Sequence, residues 1–259
     1  FRPSSDFYYL TGCQEPDCVL VLVPESDGHR TVLFAEPNPG RTDATFFTDR
    51  VKGELWEGPR PGLPEFQGLY HIQDVRPLSE LHDFIRQNIS GHFRVSRGYS
   101  EKLEVLVDGV HPEHLRADQV KKDKELASTL SEMRLLKDKE EVRALSGAIA
   151  STKRGFEDVI RRMKSAKIER ELEGVFYTRA RTEGNDVGYY SIVASGAHAC
   201  VLHWKQNDGK LKKGDLLLLD AGIEGNELYT ADITRTLPVS GRFSKEQKEI
   251  YELVLSAQQ

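Results

Sequence analysis

The sequence predicts an α/β protein of two domains, and three observations lead there. Short apolar runs bounded by turn signals, such as Leu216 to Leu219 after Lys213-Gly214-Asp215, read as buried strands. Longer segments with apolar residues at alternating steps of three and four, such as Val142 to Met163, read as amphipathic helices. A charged stretch from His111 to Lys137 reads as a helical connection between two such groups, so the expected domains are 1–125 and 126–259. Hydrophobic content of 38% is enough for a real core. A net charge of −5 gives no reason to expect nucleic acid or an anionic membrane as partner. No run of 18 apolar residues occurs, so no membrane-spanning helix is expected.

The chain opens on Phe1 rather than Met, without a signal-peptide pattern, and its start is expected to be trimmed. Residues 1–12, F-R-P-S-S-D-F-Y-Y-L-T-G, read as an aromatic-rich extended segment turning at Gly12. Val19 to Val23 and Thr31 to Ala35 read as strands joined through Ser26-Asp27-Gly28. Prolines and glycines between Pro37 and Pro64 mark loops around a helix near Thr42 to Val51. Leu78, Leu81, Phe84 and Ile89 stand at helical spacing, and Val105 to Val107 reads as one more strand. Cys13, Cys18 and Cys200 show no metal or redox spacing. Unpaired thiols in a reducing cytoplasm are expected, with a Cys13–Cys18 bridge left open.

In the second half, Asp138 with Glu141 forms a capping box. Val142, Leu145, Ile149, Thr152, Phe156, Val159 and Met163 follow it as one stripe. A second helix near Ile168 to Thr182 carries Ile168, Leu172, Val175, Phe176 and Ala180 on one side. Tyr189 to Val193 reads as a strand and Ser195-Gly196 as a turn. His203 closes the apolar run A-C-V-L-H, where a histidine is by default a packing residue. Ser244 and Gln247 cap a final helix whose face is Ile250, Leu253, Val254 and Ala257, expected to pack.

Between these helices lies the stretch that carries chemistry. Leu216 to Leu219 ends on Asp220; a second run, Leu228 to Leu237, holds Asp232; and Glu224-Gly225-Asn226-Glu227 reads as the hairpin tip. Cross-strand neighbours lie roughly 4.5–5.5 Å apart. Two carboxylates that close repel each other unless a cation sits between them. Apolar flanks (Leu219 and Ala221, Ala231 and Ile233) imply that both are buried, which is costly without a partner. A metal site is the simplest resolution.

The motif D-A-G followed by Y-T-A-D-I-T-R-T-L-P-V-S-G resembles the pita-bread metallopeptidases, and within them the Xaa-Pro aminopeptidase (aminopeptidase P) family. The amino-terminal segment is similar to that family's first domain. The resemblance implies a mixed-sheet amino-terminal domain followed by the first part of a pita-bread catalytic domain. It implies a metal-dependent aminopeptidase that cleaves between an N-terminal residue and a following proline, using a hydroxide activated by two divalent metals. Matched residue by residue, Asp220 corresponds to a terminal metal ligand and Asp232 to the bridge. Their separation is one residue longer than in many relatives. His203 matches a residue that lines the substrate pocket and serves catalysis; Thr234 is a candidate neighbour of the ligands, and the role of His198 is open.

Further implications are Mn as the metal, with Co or Zn as alternatives, peptides with proline in second position as partners, a homo-oligomer and a cytoplasmic location. The family uses five ligands, and the His and two Glu that complete the set lie further along in relatives. The 259 residues alone are therefore expected to be inactive. Three alternatives stand beside this reading: an Xaa-Pro dipeptidase, a non-catalytic binding module of the same fold, and a sugar-kinase-like or actin-like ATPase, whose Asp-x-Gly phosphate loop Asp220-Ala221-Gly222 also resembles.

Overall fold

Apolar strands near the amino terminus pair first. β1 (Cys18–Glu25) and β2 (Gly28–Ala35) form an antiparallel hairpin running from Cys18 opposite Ala35 to Glu25 opposite Gly28. The turn closes on Gly28 at φ 94°, a conformation open to glycine and strained for other residues. The computed structural model to which these strands belong describes residues 1–88, 93–110 and 116–259. Ile89 and residues 111–115, expected in helices, lie outside them.

β3 (Asp74–Pro77) joins β2 in parallel, which makes β2 the central strand. Its side chains alternate between two faces, and both are covered. Val32 and Phe34 pack with Leu81, Phe84 and Ile85 of α5 (Leu81–Asn88) and with Val107 of α6 (Glu101–Val110). Leu33 and Ala35 pack with Cys13 and with Phe66 of α4 (Leu63–Tyr70). Each such fully buried Leu or Phe is worth about 1.5–3 kcal/mol.

Several amino-terminal expectations change. The opening segment is not extended: it forms α1 (Ser5–Thr11), because Ser4 Oγ accepts from the Phe7 amide at 3.2 Å and Gly12 closes the helix at φ 67°. A cap at each end outweighs the β propensity of the aromatics. Val105–Val107 is helical too, since Leu103, Leu106, Val107 and Val110 together turn toward the β2 core at helical spacing. The single helix expected near Thr42 to Val51 is two short ones, α2 (Thr45–Thr48) and α3 (Glu54–Glu57). A long helix, α7 (Arg116–Leu135), ends this unit. Two compact units part between Leu136 and Lys137, and the 125/126 division lies inside α7. No helix among the described residues is long and apolar enough to cross a membrane.

The second unit is built on a three-stranded antiparallel sheet. Its order is β5 (Ile192–Ser195), β6 (Leu216–Ala221), β8 (Ile233–Pro238). Beside it β4 (Asp186–Val187) pairs with β7 (Ile223–Glu224). Two helices supply the cover: α8 (Lys139–Met163) and α9 (Glu169–Glu183). Phe156, Val159, Met163, Leu172, Phe176 and Ala180 bury against Val193, Leu217, Leu219, Ala221 and Ile223. The Asp138–Glu141 capping box forms as expected, with the Glu141 amide 2.9 Å from Asp138 Oδ1 and the Asp138 amide 2.8 Å from Glu141 Oε2.

The buried stripe of α8 differs at its start. Thr152, Phe156, Val159 and Met163 face the core as read, but Val142 and Ile149 are exposed while Ala144, Ala148, Ser151 and Gly155 are buried. At Gly155 a small residue is required because the helices approach closely: a Cβ there would stand 2.7 Å from the Phe176 ring. In α10 (Lys245–Gln258), the face of Ile250, Leu253 and Val254 is exposed rather than packed.

Candidate metal centre

The Leu216 run becomes a strand because three of its side chains answer a hydrophobic face. Leu217, Leu219 and Ala221 are buried in the core, so the strand's alternation sends Asp220 to the opposite face. Asp220 stands opposite Ile192 of β5 and Thr234 of β8. It is not directly opposite Asp232, as a plain hairpin would have it. Gly222 interrupts β6, and the chain makes the short strand β7 before turning at Gly225–Leu228, where the Leu228 amide bonds the Gly225 carbonyl. That turn sits one residue later than the tip expected at Glu224–Glu227, since Glu224 is buried in β7. Asp232 then precedes β8 by one residue.

The two carboxylates meet at a third side chain. Tyr189 Oη lies 2.7 Å from Asp220 Oδ1 and 2.7 Å from Asp232 Oδ1. Gly222 makes this approach possible. A Cβ there would fall 1.6 Å from the Ala231 carbonyl oxygen and 3.1 Å from the Tyr189 ring. The Gly188 amide bonds the Gly222 carbonyl at 2.8 Å and sets the tyrosine in place. Burial, then the bonds to the two carboxylates, push the phenol's pKa well above its ordinary value, so Tyr189 holds its proton. One proton serves one acceptor at a time. Among the described residues, this hydroxyl is the hydrogen-bond partner found for either carboxylate. Asp232 is exposed, against the burial expected from its apolar flanks, because it lies where the strand has not yet entered the sheet; Asp220 is half-buried. Carboxylate oxygens so placed fit a hard or borderline divalent cation, which would relieve their mutual repulsion.

Residue type alone did not mark Tyr189. It was expected to begin a strand, but β5 begins at Ile192. The available signal was Gly188, a residue that lets a chain approach another backbone closely before a strand.

His203 is not packed in a core, the default for a histidine ending an apolar run: Gly196–Cys200 forms a 3₁₀ turn, and Val201, Leu202 and His203 follow on an exposed bend, Leu202 at 84% exposure. What holds this bend is Glu169, the first residue of α9 and 0% exposed. Its Oε1 accepts from the Ser195 amide (2.7 Å) and hydroxyl (3.0 Å), and its Oε2 from Trp204 Nε1 (3.0 Å) and the Gly209 amide (2.8 Å). His198 Nδ1 lies 3.1 Å from Oε1, and its ring stacks on Trp204 at 3.8 Å. Burial opposes ionisation of Glu169, but the donors outweigh it and hold the carboxyl below its usual range.

Glu169, His198 and Asp208 bring ligand atoms within 4.8 Å of one another. The Glu169 oxygens, however, are already taken by fixed N–H and O–H groups, so this cluster is a hydrogen-bonded hub and fits a metal poorly. A carboxylate at a helix start reads in sequence as a surface charge facing the dipole, and only the fold reveals its burial.

Residues 143–259 match metallopeptidase family M24, and residues 1–95 match the aminopeptidase P N-terminal domain. The whole chain is 48% identical to Xaa-Pro aminopeptidase 1 of Streptomyces coelicolor, of which it covers 51%. It is 32% identical to the Xaa-Pro aminopeptidase of Escherichia coli, over 58% of that protein. The solved low-pH form of E. coli aminopeptidase P superposes on 99% of this chain with TM-score 0.84 at 30% identity, 57% of that chain being covered. The chain thus spans about half the length of the curated relatives it matches.

Proposed function

With an aminopeptidase P N-terminal domain followed by part of a family M24 metallopeptidase domain, we propose that the protein to which this chain belongs is a metal-dependent Xaa-Pro aminopeptidase. The observation that carries this reading is the convergence of Asp220 and Asp232 on the Tyr189 hydroxyl. Asp220 would be a terminal ligand of one divalent ion, and Asp232 would bridge two. When bound, such ions supply Lewis-acid polarisation of the scissile carbonyl and a more acidic water.

The chain's own residues do the rest. Tyr189, held protonated, donates to the carboxylates and fixes their oxygens in orientation, the task of a group behind the ligands. His203, on its exposed bend, would meet the peptide. An Xaa-Pro bond has no N–H, so the enzyme must hold the flanking carbonyl and the ring. Mn as the metal, proline in second position, a homo-oligomeric state and a cytoplasmic location belong to the same proposal and rest on the family resemblance.

The test is to assay the full-length protein on an Xaa-Pro-Xaa peptide, strip it with a chelator, and add Mn back. Release of the first residue, lost on stripping and restored by metal, is expected. Cleavage of Xaa-Pro dipeptides alone would favour the dipeptidase reading. Retained metal without turnover would favour a binding module.

A further inference from the structure

Glu169 is a fully buried carboxylate apart from the proposed metal ligands, and its oxygens bond the end of β5 and the loop that follows it. We infer that Glu169 is a positioning residue that locks the bend bearing His203 relative to the sheet bearing Asp220; the inference rests on the proposed role of His203.

Four observations converge on this. First, Glu169 bonds Ser195, at the end of β5, together with Trp204, the residue next to His203. Second, the His198 ring stacks on Trp204, so the indole is held by both its face and its N–H. Third, the fully buried Asn207 ties the far side of the bend to β5. Its Oδ1 accepts from the Val193 amide at 3.0 Å and its Nδ2 donates to the Ser191 carbonyl at 2.9 Å. Fourth, the start of α9 is zipped to the loop's return. The Glu169 amide bonds the Gly209 carbonyl, Arg170 donates to the Gln206 carbonyl at 2.6 Å, and the Leu211 amide bonds the Lys167 carbonyl.

Gly209 is fixed by the same packing: a Cβ there would stand 2.6 Å from Glu169 Oε1 and 2.6 Å from His198 Nδ1. Ser191 and Val193 lie just beyond Tyr189, so one frame reaches from the carboxylates' hydroxyl to the residue beside His203. A buried ionised carboxylate that binds several donors from one loop fixes them jointly, because losing it leaves every donor unpaired. Such a frame is what a substrate-holding group needs, since small misplacements are costly in rate.

The experiment uses the full-length protein with Glu169→Gln, which keeps shape but replaces one acceptor by a donor, and Trp204→Phe, which keeps the stack and removes one bond. Amide hydrogen exchange across residues 195–209 should quicken about ten-fold or more in Glu169→Gln while β6 and β8 exchange unchanged. kcat/KM on an Xaa-Pro-Xaa peptide should fall roughly 10–100-fold. Placed on His203→Ala, the same substitution should add little further loss, as expected for two residues acting through one contact. Trp204→Phe should give a smaller effect in the same direction, and it serves where Glu169→Gln does not fold.

Unchanged loop exchange overturns the inference. So does faster exchange throughout the unit, which would mark general destabilisation, or a loosened loop with full activity, or losses that multiply in the double variant. If the unaltered protein cleaves no Xaa-Pro peptide, the proposed function falls by itself, and the exchange result still decides whether Glu169 frames the bend.

Discussion

Two carboxylate clusters lie in the second unit, and their surroundings are opposite. At Glu169 each oxygen is met by fixed donors from Ser195, His198, Trp204 and Gly209, and the side chain is sealed from water. At Asp220 and Asp232 two carboxylates share one phenol proton, and Asp232 is exposed. A saturated buried carboxylate is finished structure: its charge is answered within the chain, and another ligand would have to displace those bonds. Two carboxylates facing a single donor are unfinished and have room for a cation. Ligand-type residues near one another therefore do not make a site; unused lone pairs do. By that criterion the Glu169, His198 and Asp208 grouping is a hydrogen-bonded hub, and the Asp pair is the site we propose for metal.

Removing a carboxylate from the unfinished cluster should give the largest effect. Asp232→Ala in the full-length protein is expected to abolish metal binding, and Asp232→Asn to weaken it strongly, since a bridge needs both oxygens and a negative charge. Elemental analysis decides, and unchanged metal content would erase the contrast between the clusters.

His203→Ala comes next. A loss in kcat/KM of roughly 10²–10³-fold on Xaa-Pro-Xaa peptides, the size seen for one donor to developing charge, should leave metal content intact. Loss of metal instead would move His203 from the substrate to the ligand set.

Tyr189→Phe sharpens the comparison from within. It deletes the shared hydroxyl and keeps the ring against Gly222. Groups that orient metal ligands are typically worth 10–100-fold in metal affinity, and a drop of that size in a competition titration is expected. No change would mean the hydroxyl only fills the space before metal arrives.

The smallest effect concerns a charge cluster that is structural throughout. Glu183 accepts from Arg154 Nε at 2.8 Å and Arg179 Nη1 at 2.6 Å, which lowers its pKa from 4.5 to about 2. A carboxyl that titrates lower in the folded state stabilises the fold fully above the ordinary range near 4.5 and loses that contribution as pH falls toward about 2. Denaturant midpoints measured at pH 5 and pH 2.5 should therefore differ less for Glu183→Gln than for the unaltered protein. An equal difference would show that this cluster has no part in the acid response.

Much of this was legible before any fold was known. Short apolar runs bounded by turn signals gave β1, β2 and β6, and apolar residues at helical spacing gave α9 and the core half of α8, because burial of such runs and stripes is a local demand. The Asp138 and Ser244 capping boxes are written in three residues of spacing and formed as written. Asp220 and Asp232 were singled out by chemistry and motif together, and their convergence on Tyr189 is what the fold adds. What the sequence alone could not decide depended on partners far along the chain. Val105–Val107 is helical because the β2 core selects one face of it, and α8 takes a glycine at 155 because the Phe176 ring lies against it. Tyr189 meets two aspartates 31 and 43 residues away, and Glu169 meets donors 26 to 40 residues away. Whether a carboxylate is saturated or free is a property of those distant donors, and only the tertiary structure brings them to it.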